Sequence, residues 1–147
     1  MKTKNSCLLM LLYALLAPAS SYADNTQVAN WTQQVLVTTL SINYQEIQKE
    51  LNANRVYYSN DAWEALGMFL GDGLGIVKNN HLVLHPKVLS NAQVVEQGFF
   101  SGMEYWRVNL SIAIPELGGR VDFSVLVLKA SDPPYMIQSL NMMKFKY

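Results

Sequence analysis

Apolar residues in the N-terminal part of the chain recur three and four positions apart. Val28, Trp31, Val35, Thr38 and Ile42 form one stripe, widened by Ala29, Leu36 and Leu40, and residues 26–53 contain neither proline nor glycine. That spacing predicts an amphipathic helix. A second stripe, Tyr44, Ile47 and Leu51, then takes over in a different register, separated by polar residues, so a bend is expected between Ser41 and Asn43. A further helix is expected from Asp61, whose carboxylate suits an N-cap, with Glu64 three residues on completing a capping box. Trp63, Leu66, Phe69 and Leu70 mark its buried side, and Gly71, Gly73 and Gly75 are expected to interrupt it.

From His81 onward the period changes to two. His81 to His85 predicts a short apolar strand ended by Pro86, and Ala92 to Phe100 a second strand. Between Tyr105 and Ile114 the alternation is clearest. Trp106, Val108, Leu110, Ile112 and Ile114 face one way, and Arg107, Asn109 and Ser111 the other. Pro115 to Gly119 predicts a hairpin connection, from which Arg120 to Lys129 returns with Val121, Phe123, Val125 and Val127 on one face. Leu126 and Leu128 add apolar surface to the opposite face. A turn at Ser131 to Pro134 leads to a last strand over Met136 to Phe145. Helices followed by hairpin-linked strands predict an α+β domain with the helices on one face of an antiparallel sheet.

Residues 1–23 stand apart from this pattern. Lys2 and Lys4 precede an apolar run, Cys7 to Leu16, and the small-residue segment Ala17 to Ala23 places Ser21 and Ala23 three and one positions before a cleavage point. This order predicts a cleavable secretory leader. Ten apolar residues at ~1.5 Å rise would span only ~15 Å, about half a hydrocarbon core. The expected mature domain is therefore residues 24–147. No later segment reaches eighteen consecutive apolar residues, so a soluble exported domain is expected.

Composition narrows the function classes. Hydrophobic residues make up 50% of the chain and charged residues 15%, which suits a packed core. Eleven basic residues balance eleven acidic ones, and removing the leader takes two lysines and no acid, so nothing marks a nucleic-acid footprint. The one cysteine, Cys7, lies in the leader, which rules out a disulfide framework in the mature domain.

Candidate chemistry is sparse. His81 and His85 are four apart, which on a strand separates them by ~13 Å, too far to share one ion. The glycine run Gly71-Asp72-Gly73-Leu74-Gly75 follows a helix and lacks the spacing of a dinucleotide loop. No nucleophile has an identifiable base. Asp122 and Arg107 face away from the main apolar surface, either as a solvated charge pair or within a pocket of a curved sheet, where Asp122 could act as a base. Phe99, Phe100, Tyr105 and Trp106 are expected to serve core and hairpin packing. No catalytic, cofactor-binding or metal-binding residues are assigned.

The order of short motifs resembles a known family. Val28-Ala29-Asn30-Trp31 through Leu40 and Asn43-Tyr44, Tyr57-Tyr58-Ser59 before Ala62-Trp63, and Leu74-Gly75-Ile76-Val77-Lys78 resemble the periplasmic domain of the IcmL/DotI family of type IVB (Dot/Icm) secretion apparatus proteins. The likeness continues through Val88, Gly98, Gly102, Tyr105-Trp106-Arg107-Val108-Asn109-Leu110 and Phe123-Ser124-Val125-Leu126-Val127-Leu128, covering roughly Asn25 to Met143. The resemblance implies a cone of the nuclear transport factor 2 type, with helices against a curved antiparallel sheet. It also implies a non-enzymatic apparatus component without cofactor, whose partners are secretion-apparatus subunits or a second copy of itself. Family members carry a cytoplasmic stub and a membrane helix where this chain carries a leader, which points to a soluble periplasmic relative. A small-molecule-binding protein or small enzyme on the same fold is the alternative.

Overall fold

The computed structural model describes residues 19–147, with side chains from Asp24 onward. The expected leader lies outside the described residues, apart from the backbone of residues 19–23. The first apolar stripe folds as α1 (Ala19–Leu40), and its buried positions are Val28, Ala29, Thr32, Val35, Leu36, Thr39 and Leu40. The two buried threonines cost little, because each donates its hydroxyl back to the helix: Thr32 Oγ1 to the Val28 carbonyl at 2.8 Å and Thr39 Oγ1 to that of Val35 at 2.7 Å. The chain breaks after Leu40, as the change of stripe requires, and resumes as α2 (Ile47–Asn54) and a single 3-10 turn, Arg55–Tyr57.

The third helix, α3 (Asn60–Asn79), departs from the sequence reading at both ends. Its N-cap is Ser59 and not Asp61: Ser59 Oγ accepts from the Ala62 amide at 3.1 Å and donates to the Gln138 carbonyl at 2.8 Å. The Ser59 amide also reaches the Ile137 carbonyl at 2.9 Å. These long-range bonds hold Ser59 in place as the cap, and they leave Asp61 and Glu64 exposed in the first turns. The glycines do not interrupt the helix. Leu66, Leu70, Gly73 and Val77 form one buried row, and packing along it outweighs the ~1 kcal/mol helix penalty of each glycine. Gly73 lies against Leu117. The helix instead stops at Asn80, followed by His81 in a left-handed conformation with φ 52°.

The expected strand over residues 81–85 is a connecting segment. Its one bridge joins Val83 to Asn43, and Leu84 donates to the Ile42 carbonyl, so the segment pairs with the α1–α2 connection and not with the sheet. The sheet contains β1 (Lys87–Phe100), β2 (Met103–Ile114), β3 (Gly119–Lys129) and β4 (Tyr135–Lys146), in the order β1-β2-β3-β4 and antiparallel throughout. The second expected strand thus starts five residues early, at Lys87. Ser101 and Gly102, both with positive φ, form the two-residue turn between β1 and β2. Gly118, at φ 66°, ends the short turn Pro115–Leu117 before β3.

All three helices lie on one face of this sheet, which establishes the α+β class read from the sequence. The core is the row Trp106, Val108, Leu110 and Ile112 from β2, with Val121, Phe123, Val125 and Val127 from β3, packed against Val28, Leu36, Leu40, Leu66 and Val77. At one end an aromatic chain joins the layers. Trp31 lies 5.2 Å from Tyr135 and 6.0 Å from Tyr57, and Tyr135 meets Trp106 edge-on at 5.5 Å.

Buried Tyr58 links α1 to the segment before α3, with its hydroxyl 2.8 Å from Thr39 Oγ1. The Thr39 proton is committed to Val35, so the phenol is the donor. Burial pushes the Tyr58 phenol far above its ordinary value of 10.0. In the unfolded chain this phenol ionises near its ordinary value, while in the folded chain it keeps its proton. Its contribution to stability is therefore complete below about pH 10 and is lost as the pH climbs above it. Denaturant midpoints should fall above that pH, and Tyr58→Phe should flatten the fall. Identical alkaline slopes in the two proteins would contradict the assignment.

Candidate functional site

The face of the sheet opposite the helices is not covered by any described element. Strand alternation dictates what it carries: Tyr105, Arg107, Asn109 and Ser111 from β2, and Asp122, Ser124, Leu126 and Leu128 from β3, between the buried residues named above. Register places Tyr105 opposite Leu128, Arg107 opposite Leu126, Asn109 opposite Ser124 and Ser111 opposite Asp122. Leu126 and Leu128 are half-buried and line an open groove of about 560 Å³, with Phe100 and Met103 at its rim. Within the groove Arg107 Nε lies 3.5 Å from Glu96 Oε2, and Tyr105 Oη donates to Glu96 Oε1 at 2.9 Å. That bond to a carboxylate holds the Tyr105 phenol above its ordinary value. Arg107 also approaches Ser124 Oγ at 3.4 Å.

Further along the same face the surface turns polar. Ser111 Oγ donates to Asp122 Oδ1 at 2.7 Å, and Arg120 Nε lies 3.5 Å from the same oxygen. The Arg120 guanidinium in turn stands 4.6 Å over the Phe145 ring. Asp122 and Arg107 share the open face, as read from the sequence, but they do not pair. Four residues of β2 separate Arg107 from the position opposite Asp122, which is ~13 Å along the strand. Each takes a nearer partner.

The aromatic run Phe99, Phe100, Tyr105 and Trp106 is divided between roles. Trp106 is core, 2% exposed. Tyr105 lies on the open face, and Phe99 and Phe100 are 74% and 76% exposed at the end of the β1–β2 hairpin, where no helix reaches. The expectation of packing fails for those two phenylalanines. Nothing in the local sequence pattern marks Glu96 or Met103 as part of the groove. Two phenylalanines directly before a Ser-Gly turn are the signal that locates this end of the groove.

The histidines lie outside this face. His81 packs edge-on against Tyr44 at 4.9 Å. His85 Nδ1 lies 2.8 Å from Glu116 Oε1, and the His85 amide donates to the same oxygen at 3.1 Å, tying the residue 81–86 connection to the β2–β3 turn. Burial alone would raise the Glu116 carboxyl, but hydrogen bonds from its own amide and from His85 hold it below its ordinary value. Among the described residues no three histidine, cysteine or acidic side chains converge on a metal position. Among them, too, no helix is long and apolar enough to cross a membrane.

Three helices over one face of a four-stranded antiparallel sheet is a fold this chain shares with solved structures. The chain is similar in structure to the periplasmic domain of DotI, with a TM-score of 0.71 and 18% identity over 81% of this chain and 94% of that one. A periplasmic fragment of TraM gives a TM-score of 0.67 at 11% identity, over 85% of this chain and 98% of the fragment. An IcmL-like type IV secretion system protein from Legionella pneumophila gives 0.56 at 14% identity, over 83% and 94%. At these identities the likeness is one of fold. No protein-family model and no curated protein sequence matches the chain.

Proposed function

We propose that this chain is exported through its leader, cleaved after Ala23, and works in the periplasm as a non-enzymatic protein-interaction module related to the type IV secretion apparatus. The observation that carries the reading is the fold likeness to the periplasmic domain of DotI, a periplasmic fragment of TraM and an IcmL-like type IV secretion system protein, each extending over more than four-fifths of this chain. The open face supplies the contact surface. Its groove sets apolar Phe100, Met103, Leu126 and Leu128 beside polar Glu96, Arg107 and Tyr105, and an exposed apolar patch of this kind marks a partner site. The partner is a secretion-apparatus subunit or a second copy of the chain.

The polar hollow that Asp122 lines with Asn109, Ser111 and Ser124, about 420 Å³, lies within the ~300–1,000 Å³ of small-molecule pockets, which favours a second reading as a ligand-binding protein or small enzyme. The two readings make different forecasts. On the first, mass spectrometry of the periplasmic protein finds Asp24 at the N-terminus, and crosslinking in periplasmic extract captures an apparatus subunit or the chain itself. Leu126→Arg then abolishes that capture while circular dichroism stays unchanged. On the second, Asp122→Asn removes a turnover and leaves every complex intact. An intact Met1 in the membrane fraction, or capture indifferent to Leu126→Arg, would overturn the first reading.

A further inference from the structure

We infer that the polar hollow on the open face binds an extended, uncharged glycan chain laid across the strands. The inference rests on the reading of that hollow as a ligand site and names the class of ligand. The apolar groove at the hairpin end takes no part in it. Register builds the hollow. Gln93, Asn109, Ser124 and Asn141 stand opposite one another in a single row that crosses β1, β2, β3 and β4. A second row beside it holds Ser90, Ser111, Asp122 and Met143. Between Ser90 and Gln93 the register shifts, so β1 takes three steps where β2 takes two, and Asn91 in that bulge lines the hollow as well.

The side chains of these rows select the ligand. Among the described residues the amides of Asn91, Gln93, Asn109 and Asn141 have no hydrogen-bond partner, and each offers two donors and an acceptor. Asp122 Oδ1 accepts from Ser111 at 2.7 Å and faces Arg120, which leaves Oδ2 to accept from a ligand. No lysine or arginine lines the hollow, so an anion finds no counter-charge there, and the single carboxylate does not make a cation site. An extended peptide adds to a sheet through backbone groups at a strand edge, whereas this surface is a sheet face of side chains. Hydroxyl groups both donate and accept, as these amides do. The spacing agrees. Neighbouring strands lie ~4.8 Å apart, close to the length of one pyranose unit, so successive strands meet successive sugars along a row of ~14 Å. Val95 and Met143, 55% and 63% exposed, supply apolar contact for the C–H faces of the rings.

Isothermal titration calorimetry with chitotetraose, an extended β-linked tetramer, tests the inference, with maltotetraose, whose α-linked chain coils, as the comparison. Co-sedimentation with purified peptidoglycan sacculi runs beside it. The expected result is binding of chitotetraose, weaker or no binding of maltotetraose, and retention on sacculi. Asn109→Ala and Gln93→Ala, both at exposed positions, should each weaken chitotetraose binding, and together by at least ~10-fold, as the loss of several hydrogen bonds does. Met68→Asp on the exposed side of α3 should leave it unchanged, and circular dichroism checks that every variant is folded. Absence of chitotetraose binding overturns the inference. So does binding indifferent to the double substitution, or equal binding of the two tetramers. Retention on sacculi without chitotetraose binding overturns it too, since the stem peptide is then the ligand. If the glycans fail while Asp122→Asn still removes a turnover, the ligand-site reading survives and only the glycan falls.

Discussion

Replacing Trp106 with alanine will lower the free energy of unfolding by about 3–5 kcal/mol, a large part of the ~5–15 kcal/mol a domain of this kind possesses. The ring is 2% exposed, between the sheet and α1, and it meets Tyr135, which meets Trp31 in turn. Removing it leaves a cavity where three aromatic rings join the two layers, and a β-strand cannot shift to fill it. Trp106→Phe should cost much less, since the indole N–H has no hydrogen-bond partner among the described residues and its loss forfeits only packing. Trp63 provides the comparison. It lies 5.4 Å from Tyr58 but is only partly buried, so Trp63→Ala should cost less than Trp106→Ala. Urea midpoints for the three variants check the order, and equal midpoints for Trp106→Ala and the parent would contradict the packing described.

Val125→Asp will unfold the protein, whereas Leu126→Arg, one residue along, will leave it folded. Val125 is fully buried against the helices, and an aspartate there would bring a carboxylate into the core without a partner. The penalty for a buried, unpaired charge is several kcal/mol, enough to exhaust the stability of a small domain. Leu126 points to the opposite face, beside a solvated groove, where a guanidinium keeps its water. The contrast follows from the period of two in β3 and from the absence of a described element over the second face. Far-ultraviolet circular dichroism and thermal melting of the two variants decide it. If Leu126→Arg unfolds as well, that face belongs to the core.

Both faces of β2 and β3 were legible in the sequence because strand alternation is a local signal that tertiary packing then uses unchanged. The stripes of α1 and α2 and the break between them were legible for the same reason. Other features were fixed by contacts distant in sequence. Ser59 caps α3 because β4 supplies the Gln138 and Ile137 carbonyls, some eighty positions away, and no local pattern ranks it above Asp61. Gly71 and Gly75 remain helical because Leu70, Gly73 and Val77 between and beside them are packed, so propensity yields to burial. The apolar run Leu82-Val83-Leu84 has strand character, yet its pairing partner is the connection at Asn43. As for the candidate site, Leu126 and Leu128 announced it, while the contribution of Phe100 depended on where the β1–β2 hairpin ends relative to the helices.

The most direct test of the central claim, that the open face of the sheet binds protein in the periplasm, is site-specific photocrosslinking in living cells. A photoreactive phenylalanine analogue at Leu128 places the reactive group in the groove, and the same analogue at Met68, 83% exposed on α3, provides the control. Covalent adducts to a secretion-apparatus subunit or to a second copy of the chain from position 128, with none from position 68, are the predicted result. Adducts from position 68 alone, or from neither position, would contradict it.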